Sequence, residues 1–352
     1  MSRNRYVLWV TSLVLVSRVG LEWVGLKAAS DAWIPKEPNL PAPLGFWEIW
    51  GRFDSISYMK IVEGGYYKQF LGPAGWFPGY PSLVKGLSLF GPALPMAVLL
   101  STAALVGSLL LFRSLAELDS EVDPLKAAVL LLSFPTAFLL SSVYSESLFL
   151  FFVCGAFLAA RTGRWGWAVA LSTAASLTRL PGLILVPVLA WEFYLREGRL
   201  SRKVCLLMIP PLGVAGFFLH LHFAVGNFWE YFQVQGVLSD VLGVWKGVST
   251  GHVISIEHQL GMAFLALEVL LLAVCWKDMR GPYRLFVALS ILVATYHTQG
   301  LCSHRFLLVL FPLFFGLERK LSRVGLWLVC ALFWIAQLIL WVYWVQGYRA
   351  TY

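Results

Sequence analysis

Charged residues are scarce in this chain. Only 13% of the 352 residues are charged, whereas 59% are hydrophobic and the mean hydropathy is +0.73. A soluble domain of this length carries roughly a quarter charged residues, so the composition excludes an ordinary soluble protein. The 16 Trp, 13 Tyr and 25 Phe fit this conclusion, because aromatic rings gather at membrane–water interfaces. The composition predicts an integral membrane protein.

Several motifs that would indicate other chemistry are also missing. There is no Walker loop, no G-x-G-x-x-G after a strand, and no Asp-x-Asp motif in a soluble domain. The five cysteines form no C-x-x-C pair, so neither a disulfide framework nor a zinc site is indicated. We interpret the cysteines as buried small hydrophobic residues.

The net charge of +8 raises the question of nucleic-acid binding. Lys and Arg lie in short clusters between apolar runs, and no basic stripe is interleaved with aromatic residues. Nucleic acid is therefore not expected as a partner, and membrane lipids are. The charge is better explained by membrane orientation.

The apolar runs predict one all-α membrane domain covering residues 1–352. A helix needs roughly 20 apolar residues to cross a bilayer, and somewhat fewer where it is partly buried, which gives about eleven candidate spans. These spans are 6–26, 79–112, 126–142, 145–160, 165–178, 181–195, 204–224, 259–276, 284–297, 306–318 and 324–345. The second is long enough to include a stretch that lies on the membrane.

Basic clusters predict the orientation. If successive spans cross the membrane in alternating directions, all of these clusters lie on the same side of the membrane as Arg3 and Arg5. Short loops rich in Lys and Arg stay cytoplasmic, so we expect a cytoplasmic N-terminus and an outer C-terminus. The two long loops, 27–78 and 225–258, then lie outside. Arg18 and Glu22 interrupt the first apolar run, which favours a retained helix over a signal peptide and predicts that these two residues pair.

Asp54 is the most unusual residue of the first outer loop. Trp47, Trp50, Phe53 and Ile61 surround it and predict an amphipathic helix in the interface plane. A carboxylate so close to hydrocarbon is costly unless it is paired or used. The alternative is a solvated acid that pairs with a basic neighbour, Arg52 or Lys60.

Three further charged positions lie at predicted outer helix ends. Glu146 follows Ser145, which favours a capping role in which Ser145 caps the helix and Glu146 lies near its positive end. Arg179 stands between two apolar helices, where its guanidinium fits phosphate oxygens or serves as a snorkelling anchor. The pair His304–Arg305 resembles it at the start of the tenth span.

Several spaced motifs together resemble the PIG-V-like mannosyltransferases. They are Phe53–Asp54–Ser55 with Tyr58, Ile61–Tyr66, Trp76–Pro81, Phe134–Phe138, Tyr144–Phe149, Thr178–Arg179 with Gly182, and Arg305–Phe306 with Pro312. The resemblance covers most of residues 46–195, with a thinner match near 304–312. Two departures are Phe53 in place of Trp, and Leu180–Pro181 in place of Ser-Asn. The second leaves the acceptor open.

The resemblance implies a GT-C-type bundle of about eleven (9–12) transmembrane helices whose outer first loop carries the catalytic acid. The implied donor is a polyprenyl- or dolichyl-phosphate hexose, with mannose favoured, and the acceptor is a glycolipid or glycan. No cofactor is implied, metal dependence stays open, and a membrane partner subunit is compatible with the family. The location would be the cell membrane in a prokaryote or the endoplasmic reticulum membrane in a eukaryote.

The resemblance also assigns roles to individual residues. Asp54 would be the catalytic base, and Arg179, followed by Arg305, would stabilise the departing phosphate. Glu146 would orient the acceptor or the base. The remaining substrate-binding candidates are Glu63, Tyr144 and His304.

Two other classes of function remain as alternatives. A lipid-linked oligosaccharide transporter or flippase needs polar groups along a path at mid-membrane depth, whereas the polar residues here concentrate at predicted outer helix ends. A non-catalytic membrane scaffold predicts that replacing Asp54 with Asn leaves every activity intact.

Overall fold

The computed structural model describes residues 1–30, 45–67, 72–119, 121–199, 201–234, 256–298 and 303–348. This part of the chain is helical and contains no β-strand. Its α-helices are α1 Arg3–Ser30, α2 Asp54–Gly64, α3 Gly79–Leu87, α4 Ala93–Leu118, α5 Pro124–Ser133, α6 Glu146–Arg161, α7 Trp165–Thr178, α8 Leu185–Glu197, α9 Ile209–Val225, α10 Glu230–Val234, α11 Ile256–Cys275, α12 Gly281–Thr298, α13 Ser303–Leu307, α14 Phe311–Lys320 and α15 Arg323–Val345.

Five helical segments of the described chain are long and apolar enough to cross a membrane. They are Arg3–Ser30, Ala93–Leu118, Arg202–Val225, Gln259–Asp278 and Arg323–Val345. The prediction of an all-α membrane protein is thereby supported, but the count of about eleven spans stays a prediction. Helices α6, α7 and α8 fall on predicted spans with 16, 14 and 13 residues, fewer than a full crossing requires.

Three predicted spans are interrupted. Span 79–112 divides into α3 and α4, so its first part is a separate short helix. Span 126–142 ends as an α-helix at Ser133, because Pro135 has no amide hydrogen and disfavours the helical conformation at Phe134. Span 306–318 divides into α13 and α14, with Pro312 in the first turn of the second helix, where proline is tolerated.

The helix predicted around Asp54 begins later than expected. Glu48–Trp50 is a separate 3-10 turn, and the chain is not helical again until Asp54. One face of α2, carrying Asp54, Tyr58 and Ile61, is buried in the bundle, so these residues are packed against protein. Of the predicted second loop, residues 235–255 lie outside the described part of the chain, and α10 occupies its beginning.

The bundle is held together by consecutive packing of α4, α6, α7 and α9, while α1 and α5 pack against α15. Arg18 donates to the Ala137 carbonyl at 3.1 Å, and Glu22 accepts from the Trp50 indole. The predicted Arg18–Glu22 pair is therefore wrong. Both side chains lie on the buried face of α1, where groups of neighbouring elements are closer partners.

The cysteines follow the prediction with one exception. Cys154, Cys275 and Cys330 are buried, but Cys205, in the 3-10 segment that precedes α9, is exposed. Cys302 lies outside the described residues.

Candidate active site

Phe53 gives the chain an unusual turn immediately before Asp54. Its φ of 52° and ψ of −112° lie where side chains other than glycine rarely occur. The Phe53 ring packs against Trp344 at 5.0 Å between centroids, and the Asp54 amide donates to the Tyr144 hydroxyl at 3.3 Å. Such backbone strain persists where the surroundings enforce it, and it clusters at functional sites. Here it accompanies a carboxylate that starts helix α2 and points into the bundle.

Glu146 occupies the first turn of α6, as predicted, and its side chain is fully buried. The capping role predicted for Ser145 is wrong, because its side chain makes no cap hydrogen bond. The Ser145 hydroxyl instead accepts from the Tyr58 hydroxyl at 2.8 Å. The position of the acid at a positive helix end was correct, but its partners come from distant segments.

Arg179 lies in an extended conformation between α7 and the 3-10 turn Leu180–Ile184. This turn folds closely over the end of α7, since a Cβ on Gly182 would collide with the backbone of Ala175 and Ser176. Only glycine fits there without moving backbone. The Arg179 guanidinium is thereby held over the Phe306 ring, 5.3 Å from its centroid.

Arg305 on the short helix α13 connects two carboxylates. Its Nη1 lies 2.7 Å from Oδ2 of Asp54, and its Nε lies 2.7 Å from Oε1 of Glu146. The same Glu146 oxygen lies 2.5 Å from Nη1 of Arg179. Four segments that are far apart in the chain thus meet in one ion-pair cluster, the Asp54 cluster, consisting of Asp54, Glu146, Arg179 and Arg305.

The cluster is nearly sealed from solvent. The side chains of Asp54, Glu146 and Arg305 are 8%, 0% and 7% exposed, whereas Arg179 is 15% exposed. Two carboxylates balance two guanidinium groups, which is how buried charges are tolerated. Oε2 of Glu146 is buried and has no hydrogen-bond partner in the described part of the chain. Arg179 is therefore the charged group of the cluster that an arriving ligand would meet first.

Aromatic side chains form one wall of the site. The Arg305 guanidinium lies over the Tyr144 ring at 4.6 Å, and Tyr58 packs edge-on against Tyr80 at 5.0 Å. Burial, followed by the negative charge of Glu146, raises the pKa of the Tyr58 hydroxyl above its usual range. Tyr58 therefore stays protonated and remains a hydrogen-bond donor beside the cluster.

Of the other predicted site residues, His304 adjoins Arg305 of the cluster, whereas Glu63 lies away from it. His304 is buried, its ring packs against Phe264 at 5.7 Å, and its carbonyl accepts from the Thr136 hydroxyl at 2.9 Å. Glu63 is exposed near the other end of α2, about two and a half turns from Asp54. The structure therefore does not bring Glu63 together with the cluster.

The predicted alternative partner of Asp54 is engaged elsewhere. Nη2 of Arg52 donates to the Val345 carbonyl at 2.7 Å, and burial lowers the pKa of Arg52 to about 10. Arg52 thus ties the start of α2 to the end of α15. The solvated-acid interpretation of Asp54 is wrong, since this carboxylate is buried against Arg305.

Three contributions to the site were not assigned from the sequence. Tyr58 lies one turn after Asp54, and this spacing could have placed it on the same face. The contacts of Trp344 with Phe53 and Tyr144 join residues that are far apart in the chain, and no local signal indicates them. The strained backbone of Phe53 likewise depends on its surroundings.

Among the residues that the structure describes, no group of three His, Cys, Asp or Glu side chains is arranged to hold a metal ion. No model of a known protein family matches the chain, and no curated protein is significantly similar to it.

Proposed function

We propose that this chain is a glycosyltransferase of the GT-C type that moves a hexose, mannose by resemblance, from a polyprenyl- or dolichyl-phosphate donor to a glycolipid or glycan. The observation that carries the proposal is the Asp54 cluster. It combines a carboxylate at a strained helix start with two guanidinium groups from other segments. A transferase of this kind needs a base for the acceptor hydroxyl and cations for the leaving phosphate.

The reaction would begin with an exchange of partners. In the cluster Asp54 is bound to Arg305, and this pair must loosen before the carboxylate can accept a proton. A donor phosphate that approaches Arg179, the most exposed of the four, would compete for both guanidinium groups because arginine binds phosphate oxygens well. Phosphate binding would thereby release Asp54 for the acceptor hydroxyl.

Bond formation then follows from this arrangement. The acceptor oxygen attacks the anomeric carbon while its proton passes to Asp54. The bond between that carbon and the phosphate oxygen breaks, and its electron pair leaves with the lipid phosphate. Arg179 and Arg305 would balance the charge that builds on this monoester anion. Attack from the side opposite the leaving group inverts the anomeric carbon.

The sidedness belongs to the same proposal. Helix α6 begins in the Asp54 cluster and ends at Arg161, where Arg161 pairs with Asp119 at 2.8 Å. The predicted cytoplasmic residues Arg113 and Arg319 lie near this second end, since Arg113 is in the last turns of α4, which ends at Leu118, and Arg319 donates to the Asp119 carbonyl. This grouping supports a cytoplasmic Arg161 end and an extracytoplasmic Asp54 end.

The test is transfer of radiolabelled mannose from polyprenyl-phosphate mannose in membranes that contain the protein. Asp54→Asn should reduce transfer about 100-fold or more, as expected for loss of a general base. Asp119→Asn is the matched control, because Asp119 and Asp54 have equally exposed side chains and ion pairs of 2.8 and 2.7 Å. It should retain transfer per folded molecule. Normal transfer by Asp54→Asn would remove this residue from the mechanism.

A lipid-linked oligosaccharide transporter remains the second candidate, because one buried acid lies at mid-span. Glu268 is fully buried in the apolar segment Gln259–Asp278, and within the described residues neither of its carboxyl oxygens has a hydrogen-bond partner. Ionisable groups inside membranes commonly mark transport paths. Movement of a labelled lipid-linked oligosaccharide across vesicles, lost in Glu268→Gln and unaffected in Asp54→Asn, would favour the transporter.

A further inference from the structure

A cleft with a volume of about 550 Å³ lies beside the Asp54 cluster and has no role in the proposed transfer. Its walls come from α2, α3, α7 and α9. It shares α2 with Asp54, but the lining residue Ile61 lies about 10 Å further along that helix. A ligand group in this cleft would therefore be separate from a phosphate bound by Arg179 and Arg305.

The cleft combines basic side chains with an apolar lining. Lys85 on α3 and His220 on α9 both line it, together with the Ser82 hydroxyl, and the described lining includes no Asp or Glu. Within the described part of the chain the Lys85 ammonium makes no ion pair. Ile61 and Phe217 contribute apolar surface. This combination suits an anion attached to an apolar body.

The surroundings of the cleft indicate that its ligand comes from the membrane. Helix α9 belongs to the candidate span Arg202–Val225. Leu212 and Leu219, which adjoin the lining residues Gly213 and His220, are 66% and 50% exposed. In an apolar span such exposed leucines face lipid. Leu83, beside Ser82 on α3, is 44% exposed as well.

The depth of the site also fits a lipid headgroup. His220 lies five residues before the end of α9 at Val225, which places it about 8 Å from that helix end. Leu177 lines the cleft two residues before Arg179, so the cleft and the cluster lie at the same end of the bundle. We propose that this cleft binds the phosphate of an anionic glycerophospholipid through Lys85 and His220, with the acyl chains on the exposed leucines.

The test measures lipid bound to the purified full-length chain by native mass spectrometry in micelles containing phosphatidylglycerol or phosphatidylcholine. We expect preferential retention of phosphatidylglycerol. Lys85→Gln should weaken retention about fivefold, because a basic residue near an anionic lipid contributes about 1 kcal/mol. The double variant Lys85→Gln/His220→Gln should weaken it further. Lys85→Arg should retain binding because it preserves the charge.

Two variants separate the cleft from general surface charge. Lys27→Gln removes the same charge from an exposed lysine on α1, outside the cleft lining, and should leave retention unchanged. Ser82→Phe fills the cleft without changing charge and should reduce retention. Equal retention by Lys85→Gln and Lys27→Gln, or equal binding of the two lipids, would overturn the proposal.

Two further outcomes identify the ligand and its relation to transfer. If inorganic phosphate stabilises the protein in phosphatidylcholine micelles in a Lys85-dependent way, the ligand is a soluble anion and the lipid assignment is wrong. Asp54→Asn should bind phosphatidylglycerol like the wild type, because the cleft does not include Asp54. The lipid-binding measurement therefore tests this cleft separately from the proposed transferase activity.

Discussion

Helix α6 connects two buried ionic networks with different construction. At its first residue, Glu146 joins Arg179 and Arg305 in the Asp54 cluster. At its last residue, about 22 Å away along the helix, Arg161 pairs with Asp119 and donates to the Tyr283 hydroxyl at 2.9 Å. The ion pairs of the two networks have similar lengths. In the second network, however, the arginines also bind backbone carbonyls at helix ends.

The second network, the Arg161 network of Asp119, Arg161, Tyr283 and Arg319, ties helix ends together. Arg161 donates to the Leu118 carbonyl at 3.1 Å, and Arg319 donates to the Asp119 carbonyl at 2.9 Å. Carbonyls at helix C-termini lack intrahelical partners, and basic groups stabilise them. In the Asp54 cluster the charged side chains pair with one another, so a charged ligand could replace one partner without opening a helix end. This difference separates a structural network from a candidate site.

The largest expected effect is on stability, and it concerns the shared carboxylate. Glu146→Gln leaves Arg179 and Arg305 close together without the acid between them. Removing one member of a buried ion pair costs about 3–5 kcal/mol. Thermal unfolding in detergent should show this loss. The control Glu117→Gln removes an exposed acid that pairs with Arg113, and it should cost no more than about 0.5 kcal/mol. Equal shifts would contradict the central position of Glu146.

The next effect is on transfer and compares one arginine from each network. Arg305 reaches its two carboxylates through Nε and Nη1, and lysine cannot reproduce this planar fork. Arg305→Lys should lower transfer about 100- to 1,000-fold, like other losses of charge stabilisation. Arg161→Lys should leave transfer per folded molecule unchanged. The measurement is the initial transfer rate of each variant, normalised to the amount of folded protein found by size-exclusion chromatography. Similar losses of transfer in the two variants would contradict the distinction between the networks.

A smaller effect should follow from glycine substitutions at the two ends of α7. In Gly182→Ala the new methyl group meets the backbone of Ala175 and Ser176, and overpacking of this kind costs about 1–3 kcal/mol. It should also displace Arg179 and lower transfer. In Gly166→Ala the methyl group meets no atom of the described residues within 4 Å, so stability should rise by about 0.4–1 kcal/mol. Thermal unfolding and transfer assays of both variants test the comparison, and an unchanged Gly182→Ala would refute it.

The last effect we predict is a gain of stability, and it concerns an acid outside both networks. Glu268→Leu removes a buried carboxyl group that has no hydrogen-bond partner among the described residues. Stability should rise by about 1–3 kcal/mol because an unsatisfied buried polar group costs that much. Transfer should not change. The control Val269→Leu alters a half-exposed neighbour and should shift stability by less than about 0.5 kcal/mol. Loss of transfer in Glu268→Leu would give this residue a role in the reaction.

Most helices could be predicted because length and apolar composition act locally. Helices α1, α11 and α15 lie within a few residues of their predicted spans, since a long apolar run has few other ways to satisfy its backbone in a membrane. The interruptions at Pro135 and near Pro312 were missed. Proline is tolerated in many membrane helices, and whether it ends one depends on the neighbouring elements.

The candidate residues Asp54, Glu146, Arg179 and Arg305 were recognised from sequence because charges beside apolar runs are unusual. Their pairing was not predicted. Capping by Ser145 and pairing of Asp54 with Arg52 are explanations from nearby residues, and both are wrong. Arg305 is separated in sequence by 159 positions from Glu146 and by 251 positions from Asp54. Pairs so far apart in the chain leave no local sequence pattern.

Composition and hydrophobic runs were sufficient to indicate a helical membrane protein, because burial of apolar surface and backbone hydrogen bonding act along each segment. The choice of partner for each buried charge required the packed bundle. A buried carboxylate takes whichever cation the packing brings within about 3 Å, and that depends on how α2, α6, the end of α7 and α13 come together. The strained Phe53 and the cleft between α3 and α9 arise from the same packing.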